Sequence, residues 1–400
     1  MIDDWCGRPG ATVVSRRAVL TGLAAAVAGA AAPAWAARPG SVGGRFDVVF
    51  LFTNDIHACR VAHGLNPNCL EEGKTDHALR RHVAGINRVH QHRWPEDIAG
   101  APTGLHGAGE PIALPRGLVI SGDMTDDGGG QVNHPGGPLP RPGHANLLPG
   151  DGRQLAQFSE HYQRSTSGDS VNIPVYLGLG NHDLDQDGPA EALNWYREEL
   201  RGYVKTNHMW TPGYEPPVPV TSYDDQSDCY SWDWGELHLV QAHRCMGDTA
   251  KGAANSLPWI ERDLATRAGD GRPVIICQHY GWDPFSAEHW DPEAKTFTPH
   301  GSGPPHWWSE DEWQAAYEVL RPYNVIAVLH GHEHENTLHY RWRGLDVFKP
   351  RAGFLGGFGI VRVTERFMNV AFVEVVDDSG DLRFTGAFGK DLPAWRAESQ

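Results

Sequence analysis

The amino-acid sequence predicts an α/β fold in which sheets meet in a sandwich with helices outside and polar motifs at the C-terminal ends of the strands. Three observations carry this. Short β-branched and aromatic runs recur along the 400 residues, bounded by Gly, Pro, Asp or Asn and separated by helical periodicity. Several runs are apolar at nearly every position, as strands buried on both faces must be. The C-terminal third then changes to strands with little helix between them.

Taken in order, the chain begins with a segment that does not belong to the fold. Ser15-Arg16-Arg17-Ala18-Val19-Leu20 precedes a small-residue apolar run, Thr21 to Pro33, and an Ala34-Trp35-Ala36 cleavage signal. The run is too short to span a membrane as a stable helix. Paired arginines before a weakly hydrophobic, Ala-rich stretch resemble a twin-arginine export signal, so residues 1–36 are read as a leader and 37–400 as a single domain. The expected destination is the periplasm or the exterior, with the twin-arginine machinery as a partner during export. An ordinary secretory signal is the alternative.

The expected strands are Asp47 to Thr53, Gly117 to Ser121, Val175 to Leu179, Leu237 to Ala242, Pro273 to Gln278 and Val325 to Leu329, and later His339 to Trp342, Phe358 to Val363 and Asn369 to Val376. Between them Leu79, Val83 and Ile86 share one helical face, as do Leu193, Tyr196 and Leu200. Glu310 to Arg321 is the clearest helix: Ser309 and Glu312 form a capping box, and Trp313, Ala316, Tyr317 and Leu320 make a packing stripe. Two Gly/Pro-rich stretches, near 128–153 and 281–308, are too long for simple connections and are read as rims of the active site.

Composition narrows the function. With 40% apolar residues the chain can bury a full core, and its formal net charge of −16 argues against nucleic acid or an anionic membrane surface as a partner. No stretch after the leader is long and apolar enough for a transmembrane helix. Cys6 leaves with the leader, and five cysteines remain. Cys229 and Cys245 flank two strands around Trp234-Gly235, a spacing that fits a cross-hairpin disulfide; Cys59 and Cys69 can close a short loop; Cys277 reads as a buried thiol.

Five polar motifs sit at the C-terminal ends of the apolar runs. Asn54-Asp55-Ile56-His57 follows the first, Gly122-Asp123-Met124-Thr125-Asp126 the second and Gly180-Asn181-His182-Asp183 the third. His279 ends the fifth, and Gly331-His332-Glu333-His334 ends the sixth. Singly, each reads as a turn or a hydrogen-bonded histidine. Recurring at one structural position, they supply the mixed N and O donors that suit borderline and hard divalent cations, with glycines that let the backbone approach them. His330, His243, His289 and His306 have no motif slot and are read as supporting or surface groups.

With these motifs in this order, the sequence resembles the calcineurin-like metallophosphoesterase superfamily, whose signature is D-x-H, G-D-x-x-D, G-N-H-D/E, a lone H and G-H-x-H. The resemblance spans about Asp55 to His334 and implies a four-layer α-β-β-α sandwich of two mixed sheets. It implies two divalent metal ions (Mn, Zn or Fe): Asp55, His57 and His334 hold one, Asn181, His279 and His332 the other, and Asp123 bridges them. The implied activity is hydrolysis of a phosphate mono- or diester by a metal-bridging hydroxide. His182 then acts as general acid, oriented by Asp126, and Asn181 and His182 face the substrate. Arg60, three residues past His57, is a candidate phosphate contact. Asp126 stands where purple acid phosphatases have Tyr, and the chain lacks room for the second domain of the secreted 5′-nucleotidases. The aromatic stretch 281–308 favours a small phosphorylated substrate with an organic group beyond the phosphate. A non-catalytic metal-binding protein of the same fold and a protein phosphatase are the alternatives.

Overall fold

A computed structural model describes residues 46–61, 64–65, 67–126, 154–163, 170–184, 190–283, 290–291, 296–297 and 308–394. The expected leader and most of both expected rims, with His289 and His306, lie outside the described residues. Two large mixed sheets form. In the six-stranded sheet the order is Leu382–Asp391, Phe367–Val375, Gly357–Thr364, Asp47–Thr53, Leu118–Ile120 and Val175–Tyr176. The last three strands run parallel, and the others add as antiparallel neighbours. In the seven-stranded sheet the order is Leu338–Trp342, Leu345–Lys349, Val325–Leu329, Val274–Cys277, Leu237–Gln241, Tyr230–Trp234 and Ser222–Tyr223. Its four strands from Leu345–Lys349 to Leu237–Gln241 are parallel.

The pleat explains how the layers stack. Along Val274–Cys277, Ile275 and Cys277 join the core shared with the six-stranded sheet, whereas Val274 and Ile276 face a second core with Leu264 and Leu320. Those two leucines belong to the helices Leu257–Arg267 and Glu310–Leu320. Leu79, Val83 and Ile86 of the helix Asp76–Arg88, with Phe158 and Leu200, pack in the first core against the six-stranded sheet. Helices therefore cover the outer faces of two facing sheets. Fully buried Phe50 and Phe52 each contribute roughly 1.5–3 kcal/mol by leaving water.

Most expected elements lie where the sequence places them. Ser309 and Glu312 form both halves of the capping box, and Ala316 and Leu320 are buried beneath half-buried Trp313 and Tyr317. The strands Leu345–Lys349 and Leu382–Asp391 and the helices Gln154–Tyr162 and Leu257–Arg267 were not among the elements expected. Among the described residues no helix is long and apolar enough to cross a membrane.

One cysteine expectation is corrected. Cys59 and Cys69 form a disulfide, but Cys229 and Cys245 are buried thiols. Tyr230 pairs with Gln241, so the residue opposite Cys229 is Ala242, and Cys245 lies three residues beyond it, past the end of the ladder. Cys277 is a buried thiol, as its apolar run implies.

Candidate metal centre

Every motif emerges from the C-terminal end of a parallel strand, where the two sheets are cross-linked. Asn54 Nδ2 donates to the His330 carbonyl at 2.9 Å and Gln241 Nε2 to the Ile120 carbonyl at 2.7 Å, while within the six-stranded sheet the Asp55 N–H donates to the Gly122 carbonyl at 3.1 Å. The loops turn abruptly. Asp55, His57, Asp123 and His332 all adopt left-handed φ, between 46° and 81°, which costs a side-chain-bearing residue about 1–3 kcal/mol. Glycines permit the crowding: a Cβ on Gly180 would lie 2.2 Å from Asp123 Oδ1, and one on Gly331 would lie 2.6 Å from Asn54 Cβ.

Among the described residues, two of the donor groups consist wholly of expected ligands. Asp55, His57 and His334 converge in one, and Asp123, His279 and His332 in the other. His57 Nε2 lies 3.1 Å from His334 Nε2 and 3.6 Å from Asp55 Oδ1, while His334 Nε2 lies 3.5 Å from Asp55 Oδ1. Asp123 stands between the groups, with Oδ2 3.0 Å from His279 Nε2 and 3.6 Å from His57 Nε2. Asn181, His182 and His334 are half-buried and mark the open side, whereas Asp55, His57, Asp123 and His279 are wholly buried.

The remaining hydrogen bonds fix which nitrogen faces inward. His57 Nδ1 meets Asp126 Oδ1 at 2.8 Å and His279 Nδ1 meets the Ser121 carbonyl at 3.1 Å, so each ring donates outward through Nδ1 and points its Nε2 toward the acidic side chains. Asp55 Oδ1, Asp123 Oδ2, Asn181 Oδ1 and His279 Nε2 are buried without a hydrogen-bond partner. Leaving so many polar atoms unsatisfied is expensive unless a cation serves them together. The donor chemistry therefore fits divalent metal ions.

Electrostatics agree. Burial raises the Asp55 carboxyl, but His334 and His57 outweigh it and hold it well below its ordinary value; Asp123 is likewise depressed, by His279 and His182 against burial. Burial, with the charge of Lys74, keeps His57 neutral, and burial beside His279 keeps His332 neutral. Burial would lower His279 too, but Asp123 pushes it up to about 9. Burial opposes protonation of His182, and the charges of Asp123 and Asp126 overcome it.

Asp126 meets His182 through its backbone carbonyl, 2.6 Å from His182 Nδ1, while its carboxylate lies against His57 Nδ1 and Lys74 Nζ, the latter at 2.7 Å. Arg60 is not an uncommitted phosphate contact, because its guanidinium pairs with Glu160 and Asp76, each at 2.8 Å. Its position was set by sequence proximity to His57; the two carboxylates come from distant helices. His243 and His330 are buried and bond to the backbone. His243 Nδ1 accepts the Leu179 N–H at 3.2 Å, and His330 Nδ1 lies 3.0 Å from the Gly331 carbonyl.

Three residues carry roles the motifs do not reveal. Asp183 accepts from the N–H groups of Gly180, Met124 and Thr125 and from the Thr125 hydroxyl, tying the third motif to the second. Burial and the charge of Asp123 push its carboxyl up to about 6. Wholly buried Lys349 donates to the carbonyls of Glu333 and Asn336 and shapes the loop bearing His332 and His334. Lys74 is buried against Asp126. Only Asp183 has a local signal, its place beside Asn181-His182.

No protein-family model matches the sequence, and no curated protein is significantly similar to it. Among solved structures, the chain is similar to a dimetal phosphatase from Danio rerio, at 12% identity and a TM-score of 0.47, covering 86% of this chain and 98% of that one. It is similar to a purple acid phosphatase from yellow lupin seeds, at 14% identity and a TM-score of 0.47, over 87% of this chain and 54% of that one. A structure of PhoD is similar at 9% identity and a TM-score of 0.46, over 88% and 73% of the two chains. At such identities the chemistry has to be read from the side chains themselves.

Proposed function

We propose that the chain is a binuclear-metal phosphoric ester hydrolase. One observation carries the reading: a buried carboxylate, Asp123, reaches toward both histidine-carboxylate groups, as a ligand shared by two ions must. Asp55, His57 and His334 would hold one ion, Asn181, His279 and His332 the other, and Asp123 both. When bound, two divalent ions polarise the phosphoryl oxygens and lower the pKa of a water toward neutrality so that it can attack phosphorus.

The chain's own residues do the rest. Asp55 and Asp123 are held anionic and offset the charge gathered in the site, and the Nδ1 contacts of His57 and His279 orient both rings with Nε2 inward. Half-buried Asn181 and His182 border the open side, where a phosphate ester would enter. With Nδ1 donating to the Asp126 carbonyl, His182 exchanges its proton through Nε2. Its raised pKa favours the imidazolium, which protonates the departing alkoxide as the bond to phosphorus breaks. The products are the alcohol and the phosphate, or from a diester the monoester.

The proposed substrates are small phosphate mono- or diesters, and the proposed location is outside the cytoplasm, on the strength of Arg16-Arg17 and Ala34-Trp35-Ala36. Purified protein is to be assayed with p-nitrophenyl phosphate and bis-p-nitrophenyl phosphate after loading with Mn, Zn or Fe in turn. Hydrolysis of either with a loaded metal is expected, and the preferred ester separates the two substrate types. Two bound ions without turnover of either ester would favour a non-catalytic metal-binding protein instead.

A further inference from the structure

We propose that Lys74 is a positioning residue for the first metal group, acting through Asp126 and Phe354; the proposal rests on the two-metal reading above. No motif contains Lys74, and the mechanism so far does not use it. Its side chain is 5% exposed, unusual for a lysine, and burying an ammonium is costly unless it is fully engaged. Lys74 Nζ lies 2.7 Å from Asp126 Oδ1 and 2.6 Å from Glu72 Oε2. The same Asp126 oxygen lies 2.8 Å from His57 Nδ1, so one carboxylate oxygen is shared by the ammonium and the imidazole. That sharing fixes the carboxylate in the orientation His57 needs to present Nε2 inward.

A second contact reaches the same group independently. Lys74 Nζ sits 5.3 Å from the centroid of Phe354, and the edge of that ring system meets both His57, at 5.6 Å, and His334, at 5.2 Å. The ammonium therefore touches the supports of two of the three donors in the first group. The backbone holds Lys74 in place: its N–H donates to the Cys69 carbonyl at 2.8 Å, and Cys69 is bonded to Cys59, two residues past His57. The disulfide thus fastens the lysine to the segment that carries the ligand it supports.

The test is a zinc titration of the full-length protein against a chromophoric chelator, resolving two binding steps. His334→Ala identifies the step that belongs to the first group. Lys74→Met keeps the stem and removes the charge; it is expected to weaken that step 10–100-fold and leave the other within about threefold. Lys74→Arg should restore most of the loss, which a purely packing role would not predict. If Lys74→Met fails to fold, Lys74→Gln is titrated in its place. Unchanged affinity in a folded variant lacking the ammonium overturns the proposal, and so does equal weakening of both steps. Wild-type protein that binds fewer than two zinc ions removes the two-metal reading, and this inference with it.

Discussion

Asp123→Asn tests the shared ligand most directly, because it changes charge and almost nothing else. The side chain is wholly buried, its volume is kept, and an amide oxygen can still accept the His182 N–H that now reaches Oδ1 at 2.9 Å. What disappears is one negative charge positioned between the two donor groups, 3.0 Å from His279 Nε2 and 3.6 Å from His57 Nε2. A pair of unit charges about 4 Å apart is worth about 4 kcal/mol at an effective dielectric near 20, and a divalent ion feels more. Taking about 4 kcal/mol per ion as the floor, each should bind at least about a thousandfold more weakly. Elemental analysis after gel filtration measures occupancy, and hydrolysis of p-nitrophenyl phosphate measures the consequence. Two ions retained by folded Asp123→Asn protein would refute the shared-ligand assignment.

His182→Ala should leave both ions bound yet slow esters with poor leaving groups by about 10²–10⁴-fold, with a much smaller loss for p-nitrophenyl esters, whose leaving group needs no proton. Equal losses for alkyl and nitrophenyl esters would show that His182 stabilises phosphoryl charge and does not donate a proton. Changing Arg16 and Arg17 together to Lys should trap unprocessed protein in the cytoplasm; continued release of a form starting near Ala37 would point to the general secretory route. Stability should fall as the pH drops below about 6.5. His82 and His208 are buried, and burial lowers each to a pKa of about 3. Their folded-state values lie below the unfolded 6.5, so the stability they contribute is full above pH 6.5 and is lost as pH falls, at about 1.4 kcal/mol per residue per unit. From pH 6.5 to 4.5 the two together should cost about 5 kcal/mol, read from urea midpoints in metal-free protein; a flat profile over that range would contradict it.

The candidate donors were legible because each follows a strand whose composition is itself legible. Val274-Ile275-Ile276-Cys277 announces a doubly buried strand, and His279 is what its end delivers. The less legible elements fail for physical reasons. Leu382–Asp391 has two glycines and four charged or hydroxyl-bearing residues in ten, since it forms the edge of its sheet and packs only partly against the core. Lys74 and Arg60 show the same limit at the site. Both are cations near the first motif in sequence, but each also meets a carboxylate far along the chain that the local sequence does not indicate. Arg60 goes to Glu160 and Asp76, and Lys74 to Asp126. Asp126 was legible as a site residue but not in its division of labour, because sequence cannot tell a carboxylate contact from one made by the backbone of the same residue.

The cost of this site lies in the backbone as well as in the side chains. Asp55, His57, Asp123 and His332 are held at left-handed φ, and four buried ligand-type atoms lack hydrogen bonds. Neither feature helps the chain fold: strained turns subtract stability, and unpaired buried acceptors subtract more. They persist because the surroundings over-determine them. The Asp183 carboxylate pins two of the loops, Asn54 pins a third to the strand end at His330, and Lys349 secures the fourth. A fold selected only for stability would relax at least one of these positions, for instance by replacing Asp123 with a residue that satisfies its neighbours. Strain, orphaned acceptors and inward-facing imidazole nitrogens coincide on the same few residues. That coincidence is explained by a cationic ligand whose binding free energy offsets all three together, and packing alone gives no reason for it.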